Sequence, residues 1–185
     1  SSGGSCIEVL IRNLDEEASA HGLTGYGLYY SASTVTDRFG LGVRVATCTR
    51  PRTVAWWGQH AVVACQEDDR LAIHDLAAGT SETVQLPWGS RPFGVVVVED
   101  EAFVTLQGPG AVARISLSGA PTVLETLPAI DDARGIAVLP DGRLGVTRWR
   151  SPDAQGQLVL LDPDTGEREP VGLQFDPQVA SDTEA

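Results

Sequence analysis

Apolar residues fall in short runs of four to seven, broken by Gly, Pro, Asp and Ser. The densest run is Val95-Val96-Val97-Val98; three acids follow, Glu99-Asp100-Glu101, and then a second run, Ala102-Phe103-Val104-Thr105-Leu106. Runs this short, rich in Val, Ile and Leu, predict strands, because a helical repeat would need runs of about ten or more with a 3.6-residue period. Outer, half-covered strands should alternate, and Val84 and Leu86 do so against Thr83 and Gln85.

The pattern recurs. Three stretches start 41 residues apart, at Arg50 (RPRTVAWWGQHAVVACQ), Arg91 (RPFGVVVVEDEAFVTLQ) and Asp132 (DARGIAVLPDGRLGVTRW). Val54, Val95 and Ile136 correspond, and so do Thr53, Gly94 and Gly135. The third copy slips by one residue after the longer turn at Pro140-Asp141-Gly142. Each copy continues with two further runs, as in Leu71–Leu76 and Glu82–Leu86 of the first. Four short strands per repeat, divided by turn residues, predict a four-stranded antiparallel meander. Repeats of about 40–45 residues with four strands are propeller blades. The fold class expected is therefore all-β, a β-propeller with about three complete blades and a partial N-terminal blade.

This gives an N-terminal segment with the partial blade (1–49), blades at 50–90, 91–131 and 132–175, and a polar tail at 176–185. The partial blade would use Ile7–Ile11, Gly27–Ser31 and Gly42–Thr47, with 12–26 as an insertion or long loop. The first strand of each blade should line the central axis, covered on both faces by its neighbours. On this reading the four valines are an axial strand.

The copies resemble the YVTN-type bacterial β-propeller repeat, whose pattern runs P-x-G-V-A-V-S-P-D-G-R-x-x-Y-V-T-N and then V-x-V-I-D. The third copy is nearest, with Arg134-Gly135-Ile136-Ala137-Val138-Leu139-Pro140-Asp141-Gly142-Arg143 followed by Gly145-Val146-Thr147; the second offers Pro92-Phe93-Gly94-Val95 and Phe103-Val104-Thr105. The resemblance spans residues 50–173. The Asn that ends the pattern is replaced by Cys65, Leu106 and Arg148, so no role of that Asn carries over. The resemblance implies an exported, periplasmic, cell-surface or secreted bacterial protein, and related propellers accompany redox enzymes with c-type haem domains.

A ring of about seven blades would need nearly 300 residues at this period. Two arrangements follow: a piece of a propeller completed by another polypeptide or segment, or a four-bladed ring using the N-terminal unit. The first is favoured, because residues 1–49 lack the first-strand signature and open sheet edges must be covered.

Charge narrows the partners. The net charge is −12 and evenly spread, which disfavours nucleic acid and anionic lipid. All 13 basic residues are Arg, and the absence of Met reads as a processed, trimmed or internal piece. No run approaches the ~20 apolar residues of a membrane span. Cys6, Cys48 and Cys65 lack metal or haem spacing; they are either one disulfide plus a free thiol or three buried thiols.

The turns into the first strands carry Arg50, Arg52, Arg91 and Arg134, which a radial arrangement would gather at the channel mouth. There they would bind a carboxylate or an anionic partner, or else pair with acids between blades. Trp57 and Trp149, near turns, are candidates for a binding face, with inter-blade packing as the alternative.

Catalytic signals are thin. His21, His60 and His74 share no ligand spacing, and His60 is expected to be exposed in a turn. Asp162-Pro163-Asp164-Thr165-Gly166 reads as a turn rather than a calcium loop. No catalytic residue, metal or cofactor is expected. The reading is an exported non-catalytic binding or scaffold propeller. Its alternatives are the propeller part of a redox assembly whose haem domain lies elsewhere and, less favoured, a lactonase-like metal-dependent propeller.

Overall fold

The computed structural model describes residues 6–12, 27–33, 43–150 and 156–173. Fifteen strands and no helix occur among them. β1 (Cys6–Arg12), β2 (Gly27–Ser33) and β3 (Val43–Ala46) form a three-stranded antiparallel sheet in the order β1-β2-β3. Three four-stranded antiparallel sheets follow, each a simple meander. The first holds β4 (Pro51–Trp57), β5 (His60–Cys65), β6 (Arg70–Asp75) and β7 (Thr80–Gln85). The second holds β8 (Pro92–Val98), β9 (Glu101–Leu106), β10 (Ala111–Ser116) and β11 (Thr122–Pro128). The third holds β12 (Ala133–Val138), β13 (Leu144–Arg148), β14 (Gly156–Leu161) and β15 (Arg168–Leu173). Most of the loop expected at 12–26 and the whole tail at 176–185 lie outside the described residues, as does His21.

The sheets stack face to face in sequence order as blades. Alternation along β5 sends Val62 and Ala64 to one face, where they meet Val95, Val104, Leu106, Ala113, Ile115 and Leu117 of the second blade. Ala61, Val63 and Cys65 go to the other face, with Cys48 and Ala72. Between the second and third blades, Phe103, Val112 and Leu127 pack on Leu144, Val146, Val159 and Leu161. Each middle strand is thus sandwiched between two apolar layers, which a period of two supplies at no cost in polar burial.

First strands adjoin one another, β4 beside β8 and β8 beside β12, and so line the inner edge. They are less covered than expected. Val95 is 3% exposed but Val98 is 37% exposed, whereas Ala102 to Leu106 of β9 are all buried. An inner strand has a sheet neighbour on one side only, and toward its far end it outruns the side chains of the adjoining blades; the full sandwich belongs to the second strand. In β7, Val84 and the following Leu86 are buried while Thr83 and Gln85 are exposed, the alternation expected of an outer strand.

Cys48 and Cys65 form a disulfide with Cα atoms 5.8 Å apart, fastening the segment after β3 to the end of β5. Of the two cysteine arrangements, the paired one is present. Cys6 lies in β1. No helix among the described residues is long and apolar enough to cross a membrane.

Candidate functional site

Each blade begins with the same backbone device. Arg50, Arg91 and Asp132 have φ of 51°, 49° and 55°, a left-handed conformation that turns the chain into the inner strand. Their carbonyls accept the backbone N–H of Gln66, Gln107 and Trp149 at 3.1, 3.2 and 3.0 Å, so these three residues are structural equivalents. Immediately afterwards the register slips by one residue, between Pro51 and Val54, Pro92 and Val95, and Ala133 and Gly135. Such a bulge re-aims the side chain it carries. In each blade that side chain sits at one repeat position: Arg52, Phe93 and Arg134.

The re-aimed side chains meet across the blades. The Arg52 guanidinium lies over the Phe93 ring at 5.3 Å from its centroid, and Arg134 lies over the same ring at 4.6 Å. Arg134 also covers Trp149 at 4.1 Å, and Trp149 is 60% exposed. Beneath this ladder runs a polar chain. Arg52 Nε donates to Gln66 Oε1 at 2.6 Å, and Gln66 Nε2 donates to Gln107 Oε1 at 2.8 Å. Gln107 donates in turn to Asp132, whose other oxygen accepts from Arg150 Nε at 3.2 Å.

The cluster holds charge of both signs. Burial holds the Arg134 guanidinium below the usual arginine range; Asp132 opposes this, and the neighbouring Arg52, Arg150 and Arg91 reinforce it. Its Nε is buried without a hydrogen-bond partner. Burial works against charge on Asp132, but the hydrogen bonds from Gln107 and Arg150 outweigh it and hold the carboxyl below its usual range.

The residues picked out from sequence divide clearly. Arg52, Arg134 and Trp149 come together, and Arg91 lies close enough to act on Arg134. Arg50 does not join them; it pairs at 2.9 Å with Glu67, an acid of its own blade rather than one between blades. Trp57 is at the opposite end of β4, where its Nε1 donates to Asp100 Oδ1 of the next blade at 2.9 Å. Trp57 and Trp149 therefore share no face, because a strand of seven residues separates its two ends by about 20 Å. Phe93, Gln66, Gln107, Asp132 and Arg150 escaped the sequence reading. For Phe93, Gln66 and Gln107 the signal was there in the 41-residue spacing of Arg52, Phe93 and Arg134 and of Gln66 and Gln107; Asp132 and Arg150 have no like residue at that spacing.

His60 is not free in its turn. Its ring stacks on Trp57 at 4.8 Å between centroids and its Nδ1 lies 3.2 Å from the Trp57 carbonyl, which leaves it half-buried. Asp162 Oδ1 accepts the N–H groups of Asp164 and Thr165 at 2.9 and 3.0 Å, so this segment is a turn closed by its own aspartate. Among the described residues no three His, Cys, Asp or Glu are placed to hold a metal ion.

No protein-family profile matches the chain, and no curated protein sequence does. Solved structures do resemble it. The selenomethionine-substituted virginiamycin B lyase from Staphylococcus aureus has a TM-score of 0.62 at 14% identity over 83% of this chain and 55% of that one. A chain of a Nidogen/Laminin complex has a TM-score of 0.62 at 14% identity, covering 95% of this chain and 68% of the other. The Swd1 β-propeller domain from Myceliophteria thermophila gives 0.61 at 13% identity, over 94% and 58%. The chain thus spans about half the length of the lyase it resembles. At such identities the likeness is one of fold. With three four-stranded antiparallel sheets stacked in order, the chain is a partial β-propeller.

Proposed function

We propose that the chain belongs to an exported, non-catalytic β-propeller of the YVTN type, a binding or scaffold module whose ring is completed by another segment or chain. Its channel mouth receives a carboxylate carried by a partner. One observation carries this reading: Arg52, Arg91 and Arg134 converge, yet none forms an ion pair with a carboxylate among the described residues. Three guanidiniums repel one another, Asp132 offsets only part of this, and stacking on aromatic rings recovers about 0.5–2 kcal/mol per contact. A planar carboxylate would satisfy the fork of Arg134 in two bonds. Export is supported by the Cys48–Cys65 disulfide, since such bonds persist in oxidising compartments.

The test is titration with a fluorescently labelled Glu-rich peptide, followed by anisotropy at low and moderate salt. The Glu-rich peptide should bind, the Gln-for-Glu peptide should not, and Arg134→Gln should weaken binding at least tenfold, the scale of one lost charge-assisted contact. Equal binding of both peptides, or an unaltered affinity in Arg134→Gln, rejects the reading.

A further inference from the structure

The grooves between successive blades, at the sheet ends away from the arginine ladder, are two versions of one arrangement. In the second blade Arg114 of β10 faces Phe103 of β9 and Glu125 of β11. In the first blade the same places are held by Ile73, Val62 and Glu82. Glu101 and His60 correspond likewise, each opening the second strand of its blade.

Arg114 shows what the groove between the second and third blades is built to hold. Its Nε and Nη2 bind Glu101 Oε2 at 2.9 and 2.8 Å. Its Nη1 reaches Glu125 Oε1 at 3.3 Å, Asp164 Oδ1 at 3.4 Å and the Pro163 carbonyl at 3.3 Å. The Phe103 ring lies 5.8 Å from the guanidinium carbon. The hydrogen bonds to Glu101 and Glu125 lift the Arg114 pKa above the usual arginine range.

In the groove between the first and second blades the cation is missing; the outer-strand glutamate is kept as Glu82, while Val62 and His60 stand where Phe103 and Glu101 do. Ile73 replaces the arginine, and the Glu82 carboxylate has no hydrogen-bond or ion-pair partner among the described residues. Glu82 lines a cavity of about 180 Å³ with Trp57, His60, Asp75, Thr80 and an apolar side that includes Leu117 and Pro121. Trp57 is held by its bond to Asp100 and shares the cavity wall with His60, whose ring lies 4.8 Å from its own between centroids. Asp75 closes its own turn through Oδ1, bonding the N–H groups of Ala77 and Ala78 at 2.9 Å, and Oδ2 lies 3.7 Å from His60 Nε2.

We infer that this groove binds a guanidinium supplied from outside, in the manner that Arg114 fills the neighbouring groove from within. Glu82 is the acceptor that Glu125 is for Arg114, Asp75 the second carboxylate, and Trp57 the aromatic wall. The recognised chemistry is the guanidinium itself, whether on a partner's arginine or on a small molecule. It is independent of the anion site, which lies at the other end of the strands and takes the opposite charge.

The indole N–H resonance of Trp57, identified by its loss in Trp57→Phe, reports occupancy. N-acetylargininamide should shift it saturably, while the neutral N-acetylcitrullinamide should not. Methylguanidinium separates the two sources: saturation at similar concentration points to a small ligand, and a much weaker response to an arginine side chain with its stem. Glu82→Gln, at an exposed position, should weaken binding about tenfold. Ile73→Arg places a built-in guanidinium at the Arg114 position and should abolish the response. An equal shift with the citrulline compound, no shift with either guanidinium, or unchanged affinity in Glu82→Gln overturns the inference; the last two hold even if Ile73→Arg does not fold.

Discussion

Gln66 and Gln107 occupy the same place in successive blades, and the side-chain amide of one donates to the side-chain carbonyl of the other at 2.8 Å. Both are buried, at 2% and 7% exposure, so neither can turn to water if the other is lost. Gln107 is the central link, accepting from Gln66 and donating to Asp132. Its replacement by alanine strands a buried donor on one side and a carboxylate on the other. Gln107→Ala should cost about 2–3 kcal/mol, the range for unsatisfied buried polar groups including a charged one. Urea unfolding read against Gln59→Ala, in the exposed β4–β5 turn, measures it. Matching midpoints for the two variants would mean that the chain of amides contributes nothing to stability.

Gly135 and Thr147 make a close pair of a different kind. A Cβ built on Gly135 would lie 2.3 Å from Thr147 Oγ1, while its next neighbours, 3.6 Å away or more, are also atoms of Thr147. The first blade reverses the sizes, with Thr53 at the glycine position and the fully buried Ala64 at the threonine position. Gly135→Ala should therefore destabilise by about 1–3 kcal/mol through overpacking. Adding Thr147→Ala should restore most of the loss, a coupling that a double-mutant cycle reads directly. Gly94 is the control. Its Cβ would meet the Arg134 carbonyl at 2.3 Å, a backbone atom of the next blade, so Thr105→Ala should not rescue Gly94→Ala. Equal rescue at both sites would contradict this geometry.

The glycine–threonine swap also marks what sequence could and could not reveal. Period and strand pattern depend on burial by alternation, which each residue carries in its own hydrophobicity; hence β4 to β15 were legible run by run. The arginine ladder depends on the bulge at each inner-strand start, which aims Arg52, Phe93 and Arg134 at one another. Nothing in Arg or Phe announces a bulge. Reading types rather than repeat positions grouped Arg50 with Arg52, though one pairs with Glu67 and the other stacks on Phe93. Trp57 and Trp149 were likewise grouped by type, while the strand between turn and turn holds them at opposite ends. The open groove at Glu82 was invisible for a third reason: it is defined by Ile73 standing where the next blade has Arg114, a difference that matters only once register is known.

The Cys48–Cys65 disulfide closes a loop of sequence separation 17 that holds the first blade to the segment leaving β3. A loop of this length should contribute about 3 kcal/mol by restricting the unfolded chain. The double variant Cys48→Ala, Cys65→Ala should melt at a markedly lower temperature than the oxidised protein. Reductant should lower the oxidised protein's melting temperature to nearly that of the variant, and leave the variant's own unchanged. Calorimetry with and without reductant would expose an error if reduction left the melting temperature of the disulfide-bearing protein where it was.

His74 joins the same segment to the blade and makes that junction sensitive to acid. Its Nδ1 lies 2.6 Å from Ser81 Oγ and its Nε2 lies 2.8 Å from Thr47 Oγ1. Burial lowers its pKa from 6.5, and the nearby charge of Arg70 lowers it further. The folded protein thus holds His74 neutral at a pH where the unfolded chain has begun to take up a proton. Protons bound by the unfolded state favour unfolding, so this contribution is present in full above about pH 6.5 and is lost as pH falls through that value toward the folded pKa. Asp132 and Asp162, whose pKa values are also lowered, lose their contribution only below the ordinary carboxylate range near 3.8, a separate window. His74→Gln can hold both hydroxyl partners without titrating. Wild-type stability from urea unfolding should fall between pH 7 and pH 5, and the curve of His74→Gln should be flatter over that interval, the two lines converging as the acid limb of the carboxylates begins. Parallel curves for wild type and variant would show that His74 titrates alike in the folded and unfolded chains.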